Sequence, residues 1–250
     1  MDIWGHVKDR IELAEIQGDL LRVVESQEQV ATLELVDDLN EQSILEELLE
    51  TAKPAYRPGT ETLHYLLATP FRYPPLAYGS RFGARHEPSL FYGSRLIETA
   101  LAETAYYRFT FWLGMSEPPP SKKLVTQHTV FSARYRTSSG VQLQNAPFVE
   151  YIDALVDPVN YATTQQLGTA MREEGVGGFE YLSARDPNRG VNVALFRPEA
   201  MACTQPLSQQ SWLCETSAEK VSFSSTELGA YSHFPVDTFM TGGAFPQPAA

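Results

Sequence analysis

The chain has 250 residues, a length that suits one domain or one domain with a sizeable extension. Hydrophobic residues make up 43% of it and charged residues 20%, a composition that argues against wholesale disorder. The two cysteines, Cys203 and Cys214, exclude a disulfide-stapled scaffold and a four-cysteine zinc site, and we expect both to be reduced thiols.

The net charge of −12 is concentrated at the amino-terminal end of the chain. Residues 1–50 hold 14 acidic and 3 basic residues, so the other 200 residues carry a net charge of only −1. This acidity disfavours nucleic-acid binding, while the nearly neutral body leaves room for a local basic pocket. No apolar run reaches 18 residues and the first residues do not resemble a signal peptide, so we expect a cytoplasmic protein without a membrane span.

Residues 1–55 are predicted to form an acidic helical extension. Its apolar residues recur at helical spacing at Val30, Leu33, Val36, Leu39, Leu45, Leu48 and Leu49. Asn40 or Ser43 is expected to cap a second helix after a break near Asp37. The acidic face is either the solvated side of a docked extension or a surface for a partner or a second copy of the chain.

Residues 60–200 are predicted to form one mixed domain, and residues 201–250 to add one or two strands and a flexible tail. Strands are expected within residues 62–67, 89–92, 125–136, 179–183 and 191–196. Helices are expected from a cap at Ser94 to Leu113 and from Pro158 to Glu174. Because helices and strands do not alternate regularly, the pattern favours an α+β fold over a doubly wound sheet.

One dense segment carries most of the chemical signal. Common phosphate-binding and metal-binding motifs are absent from the sequence, but residues 71–108 (FRYPPLAYGSRFGARHEPSLFYGSRLIETALAETAYYR) interleave arginines with aromatic residues. Glu103 lies in the middle of an otherwise apolar helix, and helical spacing places Thr99, Ala100 and Tyr107 on the same face. This face differs from that of Glu98, so Glu103 is predicted to point into the protein.

The blocks GSRF, LFYGS, TALAE and YLSARDPNRGVNVALF resemble the RES domain family, named for its Arg, Glu and Ser, over roughly residues 62–200. Tyr92 follows Arg81 by eleven positions, and Glu103 follows Tyr92 by eleven more. The resemblance identifies Ser183 as the serine of the name and implies a fold like that of ADP-ribosyltransferases. It also implies the activity of the family, which is degradation of NAD⁺ by toxins that an Xre-type antitoxin neutralises.

The resemblance implies a role for each matched residue. Arg81 and Arg72 would bind the pyrophosphate of NAD⁺, Tyr92 would stack on nicotinamide, and Glu103 would stabilise positive charge on the ribose. Ser183 would hydrogen-bond the substrate or position inorganic phosphate, unless it only caps the following turn. Arg185, two residues further on, would add a second phosphate contact.

One departure from the family pattern concerns its first strand, where an arginine usually follows a tyrosine. The predicted first strand here, Leu63–Leu66, contains Tyr65 but no arginine. We therefore expect Arg72 to take the role of the missing arginine and Tyr65 to contact the substrate.

The sequence is consistent with three functions. The first is an NAD⁺ phosphorylase or glycohydrolase that acts as a toxin, with NAD⁺ as substrate, phosphate or water as acceptor, and no cofactor or metal. The second is an ADP-ribosyltransferase acting on a macromolecule, and the third is a RES-fold protein that binds a nucleotide or a partner without turnover. The amphipathic extension also leaves a homodimer open.

Overall fold

The computed structural model of the protein describes residues 1–26 and 36–247. Over these ranges the chain has an α+β fold with one mixed sheet of eight strands. The α-helices are α1 (Ile3–Val7), α2 (Leu39–Ala52), α3 (Tyr65–Arg72), α4 (Ile97–Leu113), α5 (Ile152–Leu155) and α6 (Ala162–Glu173). The strands are β1 (Ala14–Glu25), β2 (Phe91–Ser94), β3 (Leu124–Gln142), β4 (Gly178–Leu182), β5 (Val191–Leu195), β6 (Ser208–Thr216), β7 (Lys220–Ser225) and β8 (Ala230–Pro235). No helix among these is long and apolar enough to cross a membrane.

The 19-residue strand β3 organises the sheet. The strand order is β1-β2-β5-β4-β3-β6-β7-β8, and β1 also pairs with β3. Along one edge, β3 pairs with β1 in antiparallel orientation. Along its other edge, residues 124–132 of β3 pair with β6 in antiparallel orientation, and residues 140–142 pair with β4 in parallel orientation. Because β1 also pairs with β2 at Leu21 and Ser94, strands β1, β2, β5, β4 and β3 are joined in a closed ring.

The prediction that the amino-terminal segment is a helical extension is wrong in part, because the segment contains a strand. Residues 14–25 form strand β1, and among the described residues of this segment (1–26 and 36–55) only α1, a short 3-10 turn and α2 are helical. Ile16 and Leu20, which β1 buries, are four residues apart, a spacing that fits the period of a helix and of a strand equally. Pairing with β3 decides between the two.

Helix α2 confirms the helix predicted in the second half of this segment. Asp38, rather than Asn40 or Ser43, caps it, because its carboxylate accepts the backbone N–H groups of Asn40 and Glu41 at 2.8 Å. Two residues of the predicted apolar stripe, Val30 and Leu33, lie outside the described residues.

The prediction that the first strand of the domain lies at residues 63–66 is wrong, because helix α3 begins at Tyr65. His64 caps this helix through a hydrogen bond of 3.3 Å from the backbone N–H of Leu66 to its Nδ1. Leu67 and Phe71 of α3 then pack into an apolar cluster with Phe91. Burial of consecutive residues against the sheet therefore overrides the short alternating pattern that suggested a strand.

Most of the other predicted elements are confirmed. β3, β4 and β5 cover the strands expected at residues 125–136, 179–183 and 191–196, and α6 covers most of the helix expected up to Glu174. The carboxy-terminal region contains three strands, β6, β7 and β8, instead of one or two. Ser94 does not cap α4, which begins after Leu96; it is the last residue of β2 and is buried there.

In β2 and β5, strand alternation places apolar side chains on one face of the sheet and pocket-lining side chains on the other. Phe91, Val193 and Leu195 are fully buried in the apolar cluster beneath α3. The residues between them point the opposite way, so Tyr92 of β2 and Asn192 of β5 line the same pocket as Glu103 of α4. This alternation creates the polar wall that the functional site needs.

His128 of β3 is expected to make stability depend on pH. Its side chain is 3% exposed, and burial, followed by the positive charge of Arg108, lowers its pKa from 6.5 to about 4. The unfolded chain therefore binds more protons between pH 6.5 and 4, so the protein loses about 3 kcal/mol of stability as the pH falls through that window. Urea titrations of the wild type and His128→Gln at pH 7, 5.5 and 4 measure this loss as the difference between the two proteins.

The exposed His233 provides the control for this experiment. His233→Gln should keep the pH dependence of the wild type, whereas His128→Gln should flatten it. Parallel curves for the wild type and His128→Gln would show that His128 does not titrate with unfolding.

Candidate active site

A pocket of about 710 Å³ opens where β2, β4 and β5 meet helix α4. Tyr92, Ser94, Tyr181 and Asn192 line its sheet side because strand register places them next to one another. The other walls come from β1, from α3 with the loop after it, and from the loop that carries Arg81. The volume is in the range of sites that hold small organic ligands.

Glu103 lies on the pocket side of α4, where helical spacing predicted it. Ala100 and Tyr107 line the pocket with it, whereas Thr99 faces a neighbouring turn and donates a hydrogen bond to Asp186. The Oε1 atom of Glu103 accepts two hydrogen bonds of 2.7 Å, one from the Ser183 hydroxyl and one from the Asn192 amide. The carboxylate is therefore held in one orientation at the wall of the pocket.

Ser183 is fully buried and reaches Glu103 rather than the open pocket. Its oxygen also accepts the backbone N–H groups of Arg185 and Asp186, at 3.0 and 2.9 Å. The hydroxyl thus caps the turn after β4 and orients the carboxylate at the same time. The structure thus contains the turn cap, whereas a contact of Ser183 with substrate or phosphate stays a prediction, because its side chain does not line the pocket.

The turn after β4 is locked against helix α4. Asp186 accepts a hydrogen bond of 2.7 Å from Thr99 and one of 3.2 Å from the backbone N–H of Gly190. A Cβ atom at Gly190 would lie 1.9 Å from the Thr99 hydroxyl, so only glycine permits this approach. The close packing fixes the distance between Ser183 and Glu103.

Arg81 lines the pocket as a buried cation with spare donors. Its Nη1 donates to the carbonyl of Asp157 at 2.9 Å, and its guanidinium lies 4.5 Å from the centre of the Tyr161 ring. Its Nη2 is buried without a hydrogen-bond partner, and no carboxylate of the described residues forms an ion pair with it. A buried guanidinium in this state is suited to an anionic ligand.

Tyr92 contributes a ring to the pocket and supports the loop of Arg81. Its hydroxyl lies 2.9 Å from the Ser80 hydroxyl and accepts the backbone N–H of Phe82 at 3.2 Å. Burial raises the pKa of this hydroxyl, so Tyr92 is neutral at physiological pH. Gln165 holds the same loop by donating to the carbonyls of Tyr78 and Ser80.

Arg185 also reaches the pocket, from the turn that follows β4. Its Nη2 donates to the carbonyl of Pro158 and to the hydroxyl of Tyr161, both at 2.8 Å. Its guanidinium stacks 3.5 Å from the centre of the Tyr106 ring. Arg81 and Arg185 therefore both contact Tyr161, and the structure brings their two positive charges together.

Two residues that were predicted to bind the substrate, Tyr65 and Arg72, do not have the positions expected from the sequence. Tyr65 lies at the rim of the pocket, but on helix α3 rather than on a strand. Arg72 does not line the pocket: it pairs with Glu50 at 2.7 Å, donates to the carbonyl of Pro54, and stacks on the ring of Tyr56. It therefore ties α3 to α2, and the structure does not support it as the replacement for a first-strand arginine.

Arg22 of β1 is a pocket residue that the sequence reasoning missed. Its Nη1 donates to the carbonyl of Tyr92 at 2.5 Å, while its Nε is buried without a partner. Burial lowers the pKa of Arg22 to about 10, and no carboxylate of the described residues lies within ion-pair distance. The prediction of a helical extension over residues 1–55 hid this residue, because a first-strand arginine was sought only after residue 60.

Asn192 was missed as well, although it lies in the block NVALF that the sequence reasoning had singled out. A buried polar residue within an apolar strand was the available signal. Together these residues present a fixed carboxylate, guanidinium groups and aromatic rings to one cavity. Such a combination defines a protein that can bind a small molecule with anionic groups and flat rings.

The comparison with protein families agrees with this class. The model of the RES domain family matches residues 54–217, about two thirds of the chain. The protein belongs to the RES domain family. A search of curated proteins found no match. Strand β1, with Arg22, precedes the matched region, and β7 and β8 follow it.

Proposed function

We propose that the protein cleaves the bond between nicotinamide and ribose in NAD⁺ and transfers the ADP-ribosyl group to inorganic phosphate or water. The observation that carries the proposal is Glu103, whose carboxylate is fixed by two hydrogen bonds beside a pocket that contains the unpaired cations Arg22 and Arg81. Membership of the RES domain family supports the same reaction class.

The reaction makes a specific demand on the site, namely a fixed negative charge. When the bond between C1′ of the ribose and the pyridine nitrogen breaks, its electron pair stays on nitrogen and neutral nicotinamide leaves. Positive charge then develops on C1′ and the ring oxygen, and an oxygen of phosphate or water forms the new bond to C1′. A water acceptor afterwards releases a proton to solvent. Glu103 stabilises the developing charge because its orientation is set before the reaction begins.

Other residues of the pocket are candidates for binding the substrate. Arg22, which is half-buried, and Arg81, which is buried, are the candidates for the pyrophosphate. Each has a buried guanidinium nitrogen without a hydrogen-bond partner, and neither forms an ion pair with a carboxylate of the described residues. Arg185 is the candidate for a further phosphate contact. The rings of Tyr92 and Tyr181 offer surfaces for the nicotinamide or adenine ring. NAD⁺ acts as substrate in this proposal, and the protein needs no cofactor.

The purified protein incubated with NAD⁺, with and without inorganic phosphate, tests the proposal. Loss of NAD⁺ that requires phosphate and yields a phosphorylated ADP-ribose identifies a phosphorylase, whereas phosphate-independent loss with free ADP-ribose identifies a glycohydrolase. ADP-ribose attached to an added protein or nucleic acid instead would identify a transferase. Binding of NAD⁺ without products in either buffer would contradict the proposal.

The proposal extends to a role as a cytoplasmic toxin held in check by an Xre-type antitoxin protein. Its expression in a bacterial host should stop growth as cellular NAD⁺ falls, and Glu103→Gln should remove both effects. A helix-turn-helix protein encoded beside it should restore growth when co-expressed. Growth arrest at constant NAD⁺ would contradict this role.

A further inference from the structure

A chain of buried polar groups runs from the sheet to Glu103. The Ser94 hydroxyl donates to Oδ1 of Asn192 at 2.6 Å, and Nδ2 of Asn192 donates to Oε1 of Glu103 at 2.7 Å. Ser94 and Asn192 are 3% and 2% exposed, so water does not compete for these bonds. The two residues are opposite one another in the pairing of β2 with β5, which explains why their side chains meet.

The donors and acceptors in this chain leave no freedom of orientation. An ionised carboxylate only accepts hydrogen bonds, so the amide nitrogen of Asn192 must face Glu103 and the amide oxygen must face Ser94. Ser94 must then donate its proton. The carboxylate therefore determines which end of the amide points at it, and the Ser94 hydroxyl holds the amide in that orientation by donating to its oxygen.

The two oxygens of Glu103 are consequently unequal. Oε1 accepts from both Asn192 and Ser183, whereas no group among the described residues donates to Oε2. Since Glu103 also lines the pocket, Oε2 is the oxygen that remains for a ligand.

We infer that Asn192 and Ser94 are positioning residues, which act through Glu103 to hold Oε1 and leave Oε2 to the ribose of the substrate. The inference rests on the proposed function for its kinetic consequences, but not for the placement of the carboxylate. Neither residue needs to touch the substrate.

Kinetics on Asn192→Ala and Asn192→Asp test the inference. Loss of a hydrogen bond to a charged group should lower kcat for NAD⁺ cleavage by about 10- to 100-fold, with KM changed less than about threefold. Asn192→Asp keeps the shape of the side chain but removes the donor, so it should lose at least as much activity even if Asn192→Ala folds poorly. Asn188→Ala, which removes an exposed asparagine from the neighbouring turn, should retain the wild-type rate.

A double-mutant cycle separates positioning from general support of the fold. In a Glu103→Gln background, Asn192→Ala should lower the remaining rate by less than about threefold, because its effect passes through the carboxylate. The same fold-loss in both backgrounds would overturn the inference. So would an unchanged kcat for both Asn192 variants.

Crystal structures of the wild type and Asn192→Asp provide a test that does not depend on turnover. The Glu103 carboxylate should be displaced by about 1 Å or more, or occupy more than one rotamer, in the variant. An unmoved carboxylate would overturn the inference even if the wild type degrades NAD⁺. If the wild type does not consume NAD⁺, the proposed function fails while a displaced carboxylate still supports the positioning role.

Discussion

Glu103→Gln is expected to lower kcat for NAD⁺ cleavage by about 100- to 1,000-fold, with KM nearly unchanged. Glutamine has the same shape, and its carbonyl oxygen can still accept hydrogen bonds from Ser183 and Asn192. What the variant loses is the negative charge that the proposed reaction requires beside C1′, and that reaction needs the charge only as positive charge develops in the transition state. Steady-state kinetics with quantified nicotinamide release measure the effect.

Glu98 provides a matched control on the same helix, because it is exposed and does not line the pocket. Glu98→Gln should retain the wild-type rate, and thermal unfolding should show that both variants are folded. A Glu103→Gln protein with more than about a third of the wild-type kcat would exclude electrostatic stabilisation by this carboxylate.

Arg22→Met is expected to raise the KM and the Kd for NAD⁺ by about 10- to 100-fold, the range for a lost hydrogen bond to a charged group. Methionine preserves the apolar stem that packs near Phe91, where the guanidinium now lies 5.3 Å from the ring centre. The variant removes a cation that burial disfavours and that has no carboxylate partner among the described residues. Calorimetric titration with NAD⁺ measures the loss of affinity.

The unfolding temperature of Arg22→Met distinguishes a role of Arg22 in binding NAD⁺ from a role in stabilising the fold. Because an unpaired buried charge costs free energy in the unliganded protein, Arg22→Met should unfold at the same temperature as the wild type or a higher one. Arg72→Met, which breaks the link to Glu50 outside the pocket, should bind NAD⁺ normally. Weakened binding in Arg72→Met with normal binding in Arg22→Met would reverse the assignment.

The sequence by itself was sufficient to predict the family and the side of α4 on which Glu103 lies. The motif blocks around Arg81, Tyr92, Glu103 and Ser183 predicted RES membership, which the family comparison confirms. Helical periodicity also placed Glu103 on the inner side of α4, away from Glu98. The family prediction rested on the resemblance of the motif blocks. The placement of Glu103 succeeded because it depends on local spacing, which a single helix expresses without its neighbours.

Only the tertiary structure decided which distant residues complete the pocket. Ile16 and Leu20 fit helix and strand periods alike, so the identity of β1 depended on its pairing with β3, more than 100 residues away. That pairing carries Arg22 to the carbonyl of Tyr92. Likewise, Asn192 meets Glu103 only because β5 lies between β2 and β4 beneath α4. Contacts between residues far apart in the chain leave no periodic signal in a sequence, and the fold alone brings these residues together.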